Sequence, residues 1–191
     1  ARVFAYTDCF DNPPDVDETG TSFEQNAVIK CQALDGRTLS PAKAVLAEDS
    51  GIVVDALDGR PGIYSARYGG EGLTAKEQCE RLLSELAGIN DRRARYYCAV
   101  AYQGLSGDMK VLHATVEGKI AMAYEGSNGF GYDPIFIPEG YEQSFGVLSP
   151  DTKKGLSHRS RAIEALIRGT NGDFRRVVGS VTPQHADHVH S

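Results

Sequence analysis

Two β-type runs, Arg95–Tyr102 and Val111–Ile120, are separated only by the turn segment Gly104–Asp108. Extended runs joined by a short Gly-containing turn pair as an antiparallel hairpin. A hairpin this long is stable only if one face is covered, so the rest of the chain must supply covering elements. Three helical segments do so. Thr21-Ser22-Phe23-Glu24 reads as a capping box, with Thr21 as N-cap and Glu24 at N3. It opens a helix whose stripe is Phe23, Ala27, Cys31 and Leu34, with Val28 beside it. Thr74-Ala75-Lys76-Glu77 is a second capping box, before the stripe Cys79, Leu82, Leu83 and Leu86. A third helix, over roughly 157–168, presents Ala162, Ile163, Leu166 and Ile167.

Ala44–Ala47 reads as a short buried strand that ends at Glu48-Asp49-Ser50-Gly51, where the glycine permits a sharp turn. Extended structure resumes at Ile52–Val54 and stops at the Asp58-Gly59 turn. A loop rich in Gly and Tyr covers 59–72, and a Gly-rich loop at 126–134 leads into Ile135-Phe136-Ile137. Helices and strands alternate around the hairpin. The fold class expected is α/β, a mixed central sheet with flanking helices. Residues 1–168 form one domain, and 169–191 form a polar tail carrying His185, His188 and His190.

Charge and cysteine usage narrow the function. The formal net charge is −6, and no basic tract is present. Such a chain is unsuited to the nucleic-acid backbone, but it can bind a small polyanion where a few cations converge or a metal bridges the phosphates. No apolar run approaches the ~18 residues that cross a bilayer, so no membrane partner is expected. The start lacks a signal-peptide pattern, and the expected location is the cytoplasm. Cys9, Cys31, Cys79 and Cys98 show no CxxC spacing. Cys31 and Cys79 fall on apolar helical stripes and Cys98 in a strand, as buried free thiols do.

Three clusters could carry chemistry. Glu48-Asp49-Ser50 sets two acids beside a hydroxyl, a donor set that suits Mg²⁺ or the orientation of a water, and suits a solvated acidic turn equally. In Gly129-Phe130-Gly131-Tyr132-Asp133-Pro134 the glycines allow close backbone approach, an aromatic ring can stack on a purine, and Asp133 can accept from a base or ribose. The same loop could simply fill the core. Lys153, Ser157, His158 and Arg159 gather cations at a helix start, against the macrodipole unless an electron-rich ligand sits there. Solvent-facing charges are the alternative.

The order of these motifs decides between the readings. Glu18-Thr19-Gly20-Thr21-Ser22-Phe23-Glu24-Gln25-Asn26-Ala27, Lys30, Glu48–Gly51, Pro61–Tyr68, Gly129–Pro134 and Ser157-His158-Arg159 together resemble the inosine/xanthosine triphosphate pyrophosphatase (Ham1-like) family. The resemblance covers residues 15–168. It implies two lobes around a substrate cleft, and a homodimer that uses Mg²⁺ to hydrolyse non-standard purine nucleoside triphosphates to monophosphate and pyrophosphate, cleansing the nucleotide pool. By motif, Asp49 matches the catalytic acid and metal ligand, with Ser50 beside it, and Lys30 faces the triphosphate. Phe130, Gly131, Tyr132 and Asp133 match the base-holding loop, and Lys153, His158 and Arg159 match the readers of the purine edge. Alternatives are a nucleotide-binding protein with little turnover, or a pyrophosphatase for other modified nucleotides.

The chain departs from the family pattern twice. A Thr/Ser-x-Asn-x-x-Lys motif that holds phosphates on the family's first strand is not found, and the sequence starts about where the second strand would be. The helix position that the family fills with a metal-binding Glu is here Gln25, whose amide is a weaker Mg²⁺ ligand than a carboxylate.

Overall fold

In a computed structural model the described residues are 15–34, 44–104 and 107–169. The hairpin forms as expected: β2 (Arg93–Gly104) and β3 (Met109–Ile120) pair antiparallel from Arg93↔Lys119 to Gln103↔Met109. On one side β1 (Ala44–Val54) pairs with β2. On the other, β4 (Phe136–Pro138) pairs with β3 at Gly118↔Pro138. The sheet order is β1-β2-β3-β4, and every pairing among the described residues is antiparallel. Helices flank it, giving the α/β architecture.

The pleat assigns alternate side chains to two faces. Odd-numbered positions of β1, Val45, Ala47 and Val53, join Ala99 and Ala101 under Phe23, Ala27 and Cys31 of α1 (Phe23–Ala33). Even-numbered positions face the other way. Leu46 joins Cys98 and Val100 under Ala162 and Leu166 of α4 (His158–Gly169). Ile52 and Val54 join Cys79, Leu82 and Leu86 of α2 (Ala75–Glu85), with Tyr96, Phe136 and Phe145. Each helical stripe read from the sequence thus finds its sheet face. Cys31, Cys79 and Cys98 are buried, whereas Cys9 and the tail from 170 lie outside the described residues. No described helix is long and apolar enough to cross a membrane.

Two local expectations are corrected and one helix is added. Glu48-Asp49-Ser50-Gly51 is no turn: β1 runs unbroken for 11 residues, held by continuous pairing from Ala44↔Gly104 to Val54↔Ala94. Gly51 serves close approach instead. A Cβ there would lie 2.3 Å from Ser65 Oγ and 2.6 Å from the Gly62 carbonyl oxygen of the 3-10 turn Gly62–Arg67. The N-cap of α1 is Ser22, whose Oγ accepts from Gln25 N at 3.2 Å, so Gln25 and not Glu24 occupies N3. Glu24 is drawn aside because it accepts a short hydrogen bond from the Tyr97 hydroxyl. Finally, a separate helix, α3 (Pro150–Leu156), precedes α4. It is capped by Ser149 and buries no residue, so it has no apolar stripe by which sequence periodicity could reveal it. The Thr74–Glu77 capping box forms as read.

Candidate active site

Asp49 is 7% exposed, on the sheet face beneath α1. One turn of α1 separates Asn26 from Lys30, and both side chains reach Asp49. Asn26 Nδ2 donates to Oδ2 at 3.2 Å, and Lys30 Nζ donates to Oδ1 at 2.8 Å. Lys30 Nζ also lies 2.8 Å from Glu18 Oε1 and donates to the Glu48 carbonyl oxygen at 3.2 Å. One ammonium group therefore bridges two carboxylates. Burial raises the Asp49 pKa, and the bonds from Lys30 and Asn26 offset this only in part. For Lys30 burial works against the charge, but the two carboxylates outweigh it and raise its pKa.

Gln25 does not join this group. Its side-chain oxygen accepts from Thr21 N at 2.7 Å and Thr21 Oγ1 at 2.9 Å, which commits the amide to the helix start. A residue at N3 naturally reaches back to the cap. Asn26, the next residue round the helix, points inward and is 1% exposed. The acid beside Asp49 is Glu18, and Gly20 N fixes the turn between it and the helix by donating to Asn26 Oδ1 at 2.9 Å.

The second cluster is centred on Asp133. Its carboxylate accepts from Phe130 N at 2.6 Å, from the Tyr96 hydroxyl at 3.1 Å, and from Lys153 Nζ in a short ion pair. Gly129 is required here: φ is +80°, and a Cβ would fall 1.9 Å from Asp133 Oδ2. The tight loop turns Phe130 outward, leaving it 55% exposed, with Lys153 Nζ 4.2 Å and Arg159 Cζ 5.0 Å from its ring centre. Tyr132 turns inward. Its hydroxyl donates to the Ser65 carbonyl at 2.8 Å, while Cys79 Sγ donates to the Gly131 carbonyl oxygen at 3.3 Å. A cavity of about 210 Å³ lies alongside, lined by Asn128, Gly129, Phe145, Lys153, Ser157 and Ser160.

His158 stacks on Tyr96, with ring centres 4.7 Å apart and planes 6° from parallel. Burial, then the charges of Arg159 and Lys153, lower its pKa to about 3. The imidazole is therefore neutral near pH 7, with one nitrogen donating and the other accepting. Arg159 ties α4 to β1: Nη2 donates to Ser50 Oγ at 3.2 Å, and Nε lies 2.7 Å from Glu48 Oε1. That Nε–H is not aimed along a hydrogen-bond line, so the contact is an ion pair.

A carboxylate–ammonium pair on one face of β1, with a half-exposed aromatic ring and cationic donors tied to its other face through Arg159, can hold a phosphorylated heterocycle. The model of the Ham1 family matches residues 2–169. The chain belongs to the Ham1 family. It is 43% identical over 155 residues to a dITP/XTP pyrophosphatase of Oceanobacillus iheyensis, which covers 80% of this chain and 77% of that protein. It is similar to the structure of the Staphylococcus aureus Ham1 protein, with TM-score 0.75 and 43% identity over 83% of this chain and 81% of that one. A HAM1 protein from Coxiella burnetii superposes with TM-score 0.76 at 36% identity, over the same shares.

In this Ham1 chain the structure brings Lys30 to Asp49, and Phe130, Asp133, Lys153, His158 and Arg159 together. Sequence reading gave Glu18 and Tyr96 no part in the site. It took Asn26, which shares the polar face of the first helix with Gln25 and Lys30, for a solvated side chain, whereas Asn26 is buried. Asn26 and Lys30 share one face of α1, and that i, i+4 spacing was the available signal. Tyr96 carried none, since a tyrosine in a strand reads as core.

Proposed function

We propose that this protein is a nucleoside triphosphate pyrophosphatase acting on inosine, deoxyinosine and xanthosine triphosphates, releasing the monophosphate and pyrophosphate. The observation that carries the reading is the convergence of Glu18 and Asp49 on one ammonium, each 2.8 Å from Lys30 Nζ. Lys30 occupies a place between two carboxylates that suits a divalent cation equally well. Mg²⁺ favours one or two carboxylates plus phosphate oxygens and water, so the donor set fits it, with Asp49 and Glu18 as holders. Gln25 would enter only by leaving its cap.

Mg²⁺, when bound, supplies charge neutralisation for the triphosphate and acidifies water. The chain's own residues do the rest. Lys30, released from its bridge, pairs with phosphate oxygens. Asp49 accepts the proton of the water that attacks the α-phosphorus; the bond from that phosphorus to the bridging oxygen breaks, and pyrophosphate leaves.

On the base side, a purine stacks on Phe130 while Lys153, His158 and Arg159 meet its edge. A 6-oxo purine offers an acceptor at O6, whereas adenine turns a donor toward these donors. A site built to hydrogen-bond one group rejects the analogue lacking it by up to roughly 10⁴. The protein works as a cytoplasmic homodimer, a state that light scattering in solution would test. Pyrophosphate release from a panel of triphosphates, with and without Mg²⁺, tests the activity. Turnover of adenosine triphosphate equal to that of inosine triphosphate would overturn the substrate assignment. Binding without turnover would favour a nucleotide-binding role.

A further inference from the structure

Glu48 and Asp49 are neighbours in sequence, yet the pleat of β1 sends them to opposite faces of the sheet. Asp49 lies under α1 with Asn26 and Lys30. Glu48 faces α4, where its carboxylate meets Arg159 Nε at 2.7 Å and the Cys98 thiol at 3.6 Å. Lys30 touches only the backbone oxygen of Glu48, at 3.2 Å. The pair of acids is therefore divided between the two halves of the site.

Arg159 is held at three points: the Glu48 carboxylate, the Ser50 hydroxyl at 3.2 Å and the face of Phe130 at 5.0 Å. Glu48 and Ser50 are two apart on one face of β1, so a rigid strand presents both acceptors together. An arginine side chain has many rotamers, and aiming it at a ligand costs entropy unless other contacts pre-organise it. The charged contact is the strongest of the three, and it is largely shielded from water.

We propose that Glu48 is a positioning residue for base discrimination. It fixes Arg159 over Phe130, and it takes no part in holding the metal. The proposal rests on the purine assignment above, but it predicts an effect on binding that requires neither turnover nor Mg²⁺.

The test measures equilibrium binding of inosine and adenosine monophosphates, in chelator, to the parent, Glu48→Gln, Arg159→Ala and the double variant. The inosine-to-adenosine affinity ratio should fall on the order of tenfold in each single variant, as expected when one charge-assisted contact is lost. The double variant should fall no further than Arg159→Ala, because the two residues act as one unit. Glu48→Asp, which keeps the charge on a shorter stem, should retain part of the preference. In pyrophosphate assays the half-saturating Mg²⁺ concentration should match the parent's. An unchanged affinity ratio, or losses that multiply in the double variant, would overturn the proposal. So would a raised Mg²⁺ requirement with discrimination intact. If Glu48→Gln fails to fold, Glu48→Asp alone decides: a parental ratio in it refutes the role. A parent without any preference for inosine would instead remove the purine assignment itself.

Discussion

Lys30 and Asp49 lie 19 residues apart in sequence, yet Lys30 Nζ sits 2.8 Å from Asp49 Oδ1 and equally close to Glu18 Oε1. Removing the Asp49 charge leaves Lys30 paired with Glu18, so the fold keeps its partly buried cation balanced. Asp49→Asn should therefore abolish pyrophosphate release while shifting the thermal midpoint little. Near-normal release at saturating Mg²⁺ would take the proton-acceptor role away from Asp49.

The proposed metal site draws on Glu18 and not on Gln25. Glu18→Gln should raise the half-saturating Mg²⁺ concentration, because one of two carboxylates facing the cation is lost. Gln25→Glu should give a titration curve overlaying the parent's, since that side chain caps the helix through Thr21. A leftward shift in Gln25→Glu with no shift in Glu18→Gln would reverse the two assignments.

Phe130 stands half in solvent and buries little of its own surface, so its loss should spare stability. Base–aromatic stacking is worth about 1–3 kcal/mol. Phe130→Ala should accordingly raise KM for inosine triphosphate by roughly five- to 160-fold, with an unchanged melting temperature. A drop in melting temperature with KM intact would mark the ring as structural.

His158 gives a pH signature. Its pKa is about 3 in the fold against an ordinary value of 6.5, so between those limits the unfolded chain binds a proton that the native state does not. Stability from this group is full above pH 6.5 and is lost as pH falls toward 3, on the order of a few kcal/mol. Urea midpoints at pH 7, 5.5 and 4.5 should fall less steeply for His158→Gln than for the parent; parallel curves would show a protonated native histidine. For the same reason, base selectivity should stay flat from pH 7.5 to 5.5.

Gly51 admits no side chain, with Ser65 Oγ 2.3 Å from where a Cβ would stand. Gly51→Ala should destabilise by about 1–3 kcal/mol through overpacking. Because the displaced turn also carries the carbonyl that anchors Tyr132, the base loop should loosen and KM should rise with it. An unaltered melting temperature would show that the 62–67 turn yields freely.

The hairpin, the helical stripes and the Thr74–Glu77 cap were legible in the sequence because each rests on residues near one another in the chain. Periodicity and capping are local physics. The motif order likewise carried the family. Other features lay beyond it. The Glu48–Gly51 segment looks like an acidic turn until β2 supplies its hydrogen-bond partners. Gly51 looks like a hinge until Ser65 arrives against it. The choice of Glu18 over Gln25 beside Lys30 depends on which way a helix start is capped and how the preceding turn folds back. The pleat of β1 divides Glu48 from Asp49, and which helix covers each face decides what each acid meets. Sequence patterns thus set which residues are available and what local form they take. Tertiary packing alone decided which charges meet, because a buried charge must find its partner in space and not along the chain.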